Sequence, residues 1–275
     1  MKKRIYKYMP ITINTIRLLV NNSLYLAPLS LLNDPFEGEF KFKKLESIPS
    51  VDYIRENMHG VNLKSGSITE DEFYSQLKTL LGQFIDEHYG LTCFSEVNNS
   101  TLMWSHYADS HKGICIEFDS DLLMQSVDIR LNDLELKKVC FVKESPIVEI
   151  IKDTNGVTFK NELDVILCKH ISWKYEKEVR LYGYLSSVLG SKLNLKRVIP
   201  FDVSSIRGII LGSKISEQDI SLLVKLIQNR PEMKDIKWYS AQKDLYDLKM
   251  NIVERKYFFL KKEFTVIKVD NSLTT

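Results

Sequence analysis

The sequence predicts an α+β fold carried by one domain, and three observations predict it. Apolar segments with strand alternation and segments with helical spacing follow one another without the regular βαβ alternation of a doubly wound sheet. The 275 residues contain no internal repeat and no low-complexity linker, so one domain over 1–257 with a tail at 258–275 is the simplest division. Hydrophobic residues at 44% and charged residues at 27% supply an ordinary core and an ordinary surface, not the composition of a disordered chain.

Taken in order, residues 5–8 read as a short strand stopped by Pro10. Thr12 or Asn14 caps a helix through about Val20, whose Ile16, Leu19 and Val20 have helical spacing. Residues 24–26 form a second strand before a Pro- and Gly-punctuated turn at 33–38. Residues 44–88 look like a helical insertion: a polar, irregular start, a capping box at 69–72, then Phe73, Leu77, Leu80, Leu81, Phe84 and Ile85 on one helix ending near His88. Strands are predicted at 91–95, 114–118, 138–143, 178–182, 207–211 and 237–242, with a further one at 246–250. Helices are predicted at 99–109, 161–171 and 216–229. The strand at 207–211, the helix at 216–229 and the strand at 237–242 make a C-terminal strand–helix–strand extension.

Several functional classes drop out on composition. Net charge is +2, from 38 basic and 36 acidic residues, too even for a binder of nucleic acid or membrane that relies on bulk charge. Apolar runs such as 209–211 fall far short of the ~20 residues of a membrane helix, and no apolar stretch follows the basic N-terminus. The expectation is a cytoplasmic protein with no membrane partner. Cys93, Cys115, Cys140 and Cys168 lie 22, 25 and 28 residues apart and form no CxxC pair. His106 and His111, five apart, would be offset by about 140° on a helix and share no face. No GxGxxG and no P-loop occurs. No metal centre is expected.

Three segments hold more polar and aromatic residues than a core requires. Asn33-Asp34-Pro35-Phe36-Glu37 is either a plain Asx-turn or one lip of a site. Residues 93–96 followed by 103–113 place Trp104, His106 and Tyr107 on a helix beside a strand ending in Ser95. That is either a packed aromatic core or the floor of a pocket for an aromatic ligand. In 173–180, an extended chain puts Glu176 and Glu178 on one face, since strand side chains alternate. They are either part of a solvated sheet face or a pair of carboxylates able to steady a developing cation or accept a proton.

The set LNDPFE (32–37), CFSE (93–96), MWSHYADSHKG (103–113) and WKYEKEVRLY (173–182) resembles an uncharacterised bacterial family of unknown function across nearly the whole chain. More distantly, the order of motifs is similar to that of the ADP-ribosyltransferase superfamily: Ile5-Tyr6-Lys7 on a first strand, Thr92-Cys93-Phe94-Ser95 ending a second, Glu176-Lys177-Glu178 opening a later one. The resemblance implies a split pair of small twisted sheets and transfer of ADP-ribose from NAD, the substrate, to an unknown acceptor: protein, nucleic acid or small molecule. It implies a role as a toxin or defence effector. By the same resemblance Glu178 stabilises the oxocarbenium-like ribose, Ser95 braces it and Glu176 positions or deprotonates the acceptor. Lys7 contacts ribose or phosphate, and Tyr6, Tyr8, Trp104 or Tyr107 stacks on nicotinamide, with His106, Asn33, Asp34 and Phe36 around the NAD site. Lysine stands where that superfamily carries His or Arg, and it lacks arginine's bidentate contact.

Two rival readings differ in class. A non-catalytic sensor module would use the same pocket to bind a nucleotide or a protein and would not need Glu178. A Mg²⁺-dependent nuclease would use Asp34, Glu37, Glu96, Asp109, Glu176 and Glu178 as oxygen ligands. The sequence offers no tight acid-x-Lys pattern after a strand to support the nuclease.

Overall fold

The computed structural model describes residues 3–255 apart from 59, 64–66, 128–133, 154–155 and 186–196. The predicted tail at 258–275 lies outside the described residues. Strand β1 (Arg4–Met9) sends Ile5 to one side and Tyr6 and Tyr8 to the other. Helix α1 (Ile13–Asn21) starts after Thr12 as predicted, although the Thr12 side chain makes no capping bond. Left-handed Asn22 ends it and leads into β2 (Ser23–Tyr25). The insertion begins with β3 (Lys41–Phe42) and α2 (Val51–Asn57) and continues with α3 (Glu70–His88), which opens on the predicted Thr69/Glu72 capping box. Phe73, Leu77, Leu81 and Ile85 recur every fourth residue of α3 and all are buried. At ~1.5–3 kcal/mol for each large apolar side chain buried, this stripe fixes the helix to its neighbours.

Strand β4 (Tyr89–Ser95), helix α4 (Thr101–Tyr107), strand β5 (Ile114–Asp119) and helix α5 (Ser120–Ser126) follow. The turn into β5 needs Gly113, where a Cβ would lie 2.2 Å from the Met9 carbonyl oxygen. Then come β6 (Glu135–Lys138), β7 (Cys140–Val142), the β8 (Ile147–Asp153) and β9 (Gly156–Lys160) hairpin, α6 (Asp164–Leu167) and β10 (Cys168–His170). A 3-10 segment, Ile171–Glu176, leads to β11 (Glu178–Tyr184). The chain closes with β12 (Val198–Pro200), β13 (Ile206–Leu211), α7 (Glu217–Gln228), β14 (Lys237–Asp244) and β15 (Lys249–Arg255).

Eight strands form the main sheet in the order β15-β14-β13-β5-β1-β4-β11-β6. Three small sheets, β3-β8-β9, β7-β10 and β2-β12, flank it. Helices α1, α5 and α7 cover one face through Leu18, Leu19, Leu123, Leu223 and Ile227, and α4 covers the other through Met103 and Trp104. The architecture is α+β, as predicted.

The junction of β1 with β4 sets the site. β1 pairs with β5 at six positions and β4 pairs with β11 at seven, but β1 meets β4 only at Tyr6↔Ser95. The predicted pair of separate sheets is therefore corrected to one sheet with a split: past that bridge the two strands diverge.

Other elements also differ from expectation. The named elements of the 44–88 insertion are helices, but it is entered through β3, which pairs with the β8–β9 hairpin, a segment with no sequence prediction. The helix expected at 161–171 shrinks to the single turn of α6, since Cys168–His170 is drawn out to pair with β7. Residues 246–248 form the turn between β14 and β15, not a strand. The strand–helix–strand unit of β13, α7 and β14 exists, with the two strands parallel, but it is part of the main sheet. No helix among the described residues is long and apolar enough to cross a membrane.

Candidate functional site

A cavity of about 850 Å³ occupies the split between β1 and β4, within the usual volume of a small-molecule site. Cross-strand neighbours share a face, so Tyr6, Ser95 and Glu178 lie in a row on the α4 side, while Lys7 points to the α1 side. The cavity touches residues of both faces because the backbone has parted there. Lys7, Thr92 and Cys93 line its floor, α1 lines one wall, and Tyr107, Lys169, Glu176 and Glu178 stand at its end.

That end is a buried charge cluster. Lys169 Nζ donates to Glu176 Oε2 at 2.7 Å and Glu178 Oε2 at 3.2 Å, and stands 3.8 Å from Glu37 Oε2. Arg180, wholly buried, donates from Nε to Glu178 Oε1 at 2.7 Å and from Nη2 to Glu37 Oε1 at 2.6 Å. Its Nη1 donates to the Ile166 carbonyl. Three carboxylates thus meet two cations out of water, where attraction is strong and an unpaired charge is costly.

The electrostatics separate the carboxyls. Burial pushes Glu178 up, but the Arg180 guanidinium, its hydrogen bond and Lys169 outweigh that and hold it down to about 2. Glu178 is ionised. Burial dominates at Glu176 and Glu37 and raises both, against Lys169 and Arg180. Tyr107 donates its hydroxyl to Glu176 Oε1 and accepts from Asn33 Nδ2 at 3.1 Å. Burial also lowers Lys7, whose Nζ donates to Thr92 Oγ1 at 2.7 Å and the Cys93 carbonyl at 3.1 Å. Among the described residues no carboxylate forms an ion pair with it.

Glu176 and Glu178 meet, though not as an extended pair. Glu176 ends the 3-10 segment, and left-handed Lys177 (φ 45) swings the chain into β11, bringing both carboxylates onto Lys169. A non-glycine residue in that region costs roughly 1–2 kcal/mol. The turn is held by Ser95, whose hydroxyl donates to the Glu176 carbonyl at 2.5 Å and accepts from Val97 N at 3.1 Å.

Of the residues expected at the site, Lys7, Tyr8, Asn33, Tyr107, Glu176 and Glu178 line the cavity. Five others are not among its lining residues. Ser95 is fully buried and holds the Glu176 backbone, not the Glu178 carboxylate. Trp104 is fully buried, donates Nε1 to the Asn98 carbonyl and packs edge-on against Tyr8, so it is core. Tyr8 lines the cavity but is nearly buried, with its hydroxyl donating to the Val97 carbonyl at 2.9 Å. His106 is exposed beside Tyr175, outside the cavity. Asp34 makes the Asx-turn, accepting from Phe36 N at 3.0 Å, and Phe36 projects into solvent.

Sequence reasoning missed Lys169 and Arg180, and weighed Glu37 only as a metal ligand. Arg180 carried a signal: two residues beyond Glu178 on a strand, it must share that face. Lys169 carried none, since its segment reads as helical. The six carboxylates suggested as Mg²⁺ ligands do not assemble: Glu96 pairs with Lys138 at 2.8 Å, and Glu37, Glu176 and Glu178 already share two cations. No group of three His, Cys, Asp or Glu among the described residues is arranged to hold a metal.

A family model described as a protein of unknown function (DUF2971) matches residues 103–181. That stretch contains Tyr107, Lys169, Glu176, Glu178 and Arg180, and supports the resemblance to an uncharacterised family through two of its four motifs. No curated protein and no solved structure matches the chain.

Proposed function

We propose that the cavity binds NAD and that the protein transfers ADP-ribose to an acceptor, in the manner of an ADP-ribosyltransferase. One observation carries the reading: the three motif-bearing strands β1, β4 and β11 lie side by side, and their split opens a cavity that ends on an ionised, buried carboxylate, Glu178. Cleavage of the bond between nicotinamide and ribose C1′ leaves positive charge on the ribose, and the bonding pair departs with nicotinamide. Glu178 stabilises that charge from a preorganised, largely water-free position. Glu176, whose proton affinity burial has raised, accepts the proton that the acceptor's nucleophile loses as it bonds to C1′. Tyr107 and Lys169 hold the two Glu176 oxygens in place.

A second reading is favoured by a different observation. Arg180 and Lys169 already make three hydrogen bonds to Glu178, of roughly four acceptor sites on a carboxylate. A Glu178 so occupied is structural, and the protein is then a nucleotide-binding module without turnover.

Labelled NAD with cell lysate as acceptor source, wild type against Glu178→Gln and Tyr107→Phe, separates the two. Transfer or nicotinamide release that falls at least a hundredfold in a folded Glu178→Gln protein, and about tenfold in Tyr107→Phe, supports the transferase. NAD binding with no turnover in wild type leaves the binding module. Neither binding nor turnover rejects both.

A further inference from the structure

The wall opposite the charge cluster poses a problem of its own. On α1, Asn14, Arg17, Leu18 and Asn21 have i, i+3, i+4, i+7 spacing and all line the cavity. Leu18 is buried against the core, while Asn14, Arg17 and Asn21 are exposed. A polar helix face turned toward solvent is ordinary; here it faces a cavity whose floor carries Lys7. Among the described residues neither Arg17 nor Lys7 forms an ion pair with a carboxylate. The acids that line the cavity, Glu176 and Glu178, are engaged by Lys169 and Arg180, and Glu178 acts on Lys7 too weakly to offset its burial. The cavity therefore carries on its α1 wall one cation, Arg17, that has no ion-pair partner among the described residues, while its acids are already paired.

We infer that the α1 wall is a phosphate subsite, in which Arg17, flanked by Asn14 and Asn21 and with Lys7 lining the same cavity, takes the diphosphate of a nucleotide ligand. A guanidinium fork matches two phosphate oxygens at once, and the two amides add neutral donors along a face roughly 10 Å long. Lys7 has three N–H donors, of which Thr92 and the Cys93 carbonyl take two, so one is left for a ligand anion. The apolar part of the lining, with Leu31, Leu91 and Met103, suits the unchanged part of the ligand. The inference rests on the proposed function for the ligand's direction, diphosphate at α1 and reacting ribose at Glu178.

Calorimetric titration of the full chain with ADP, adenosine and inorganic pyrophosphate tests it, in wild type, Arg17→Gln and the distant surface control Arg55→Gln. ADP should bind at least tenfold more tightly than adenosine and more tightly than pyrophosphate. Arg17→Gln should weaken ADP about tenfold or more and leave adenosine unchanged, the scale of one charge-assisted contact. Arg17 is exposed, so the variant folds. Equal binding of ADP and adenosine, no ADP binding, or an Arg17→Gln protein that binds ADP like wild type overturns the inference. Pyrophosphate binding as tight as ADP reduces it to a bare-anion site and rejects the nucleotide. Arg17-dependent ADP binding without NAD turnover leaves this inference standing and removes the transferase; turnover with a KM for NAD untouched by Arg17→Gln does the reverse.

Discussion

Two lysines are buried along the same cavity and end in opposite electrostatic states. Lys7, on the floor, has a hydroxyl and a carbonyl for partners, and burial pulls its pKa down. Lys169, at the end, suffers the same burial, but Glu178 and Glu176 outweigh it and push its pKa up. Desolvation is common to both, so the closeness of the carboxylates decides the outcome: Lys169 hydrogen-bonds Glu176 and Glu178, whereas Lys7 bonds neither and Glu178 offsets its burial only in part. A similar contrast separates the charge cluster, whose acids are paired internally, from Arg17 on the α1 wall, which forms no ion pair among the described residues.

The largest break in that comparison is Lys169→Met. It leaves Glu37, Glu176 and Glu178 facing Arg180 alone, and removing one partner of a buried ionic cluster costs about 3–5 kcal/mol. Urea unfolding should show that loss in the midpoint; a change under 1 kcal/mol would mean the cluster is not holding the fold.

Acid probes the same end more gently. Glu178 has its folded pKa depressed to about 2, so its contribution is present above the unfolded value of about 4.3 and is lost as pH falls from there. Glu37 and Glu176 are raised, so their effect has the opposite sign and offsets part of the loss. Net stability should decline by about 1–2 kcal/mol between about pH 4.5 and pH 2 on account of the cluster. Glu178→Gln, whatever its starting stability, should flatten that limb of the curve, and an unchanged acid limb in a folded variant contradicts the assignment of Glu178 as its source.

The smallest effect belongs to Lys7→Met, which removes a buried cation with no ion-pair partner and should change stability by less than about 1 kcal/mol at neutral pH. Its sharper signature is alkaline. A lysine with depressed folded pKa binds fewer protons folded than unfolded, so stability should rise with pH up to the unfolded value of about 10.4. Wild type should therefore gain on Lys7→Met between about pH 7 and pH 10 in paired urea melts. Lys169, with its pKa raised, loses its contribution only above the unfolded value, so a wild type that gains nothing on Lys7→Met over this range would place Lys7 in the same class as Lys169.

Local physics made much of the fold legible in the sequence. The Thr69 capping box and the four-residue stripe of α3, the strands at β4, β5, β11 and β13, and the helix of α7 rest on neighbours within one or two turns or on strand alternation, and they stand where predicted. The Asx-turn at Asp34 and the aromatic core at Trp104 were each one of two readings, and only packing chose between them. The extended geometry expected for 173–180 differs from the one found, because left-handed Lys177 is not a residue whose type announces that conformation.

The sequence by itself determined the α+β class, the helical part of the insertion and the residues Lys7, Tyr107, Glu176 and Glu178 as cavity candidates. Tertiary structure alone decided that β1 and β4 touch at one position and then part, which makes the cavity. It alone decided that Lys169, from a segment patterned like a helix, is drawn into a strand against β7 and placed between three carboxylates. The reason is one of range. Caps, stripes and alternation act between residues a few positions apart, whereas a sheet split and a buried charge cluster join residues as distant as Glu37 and Arg180, and no local pattern encodes their meeting.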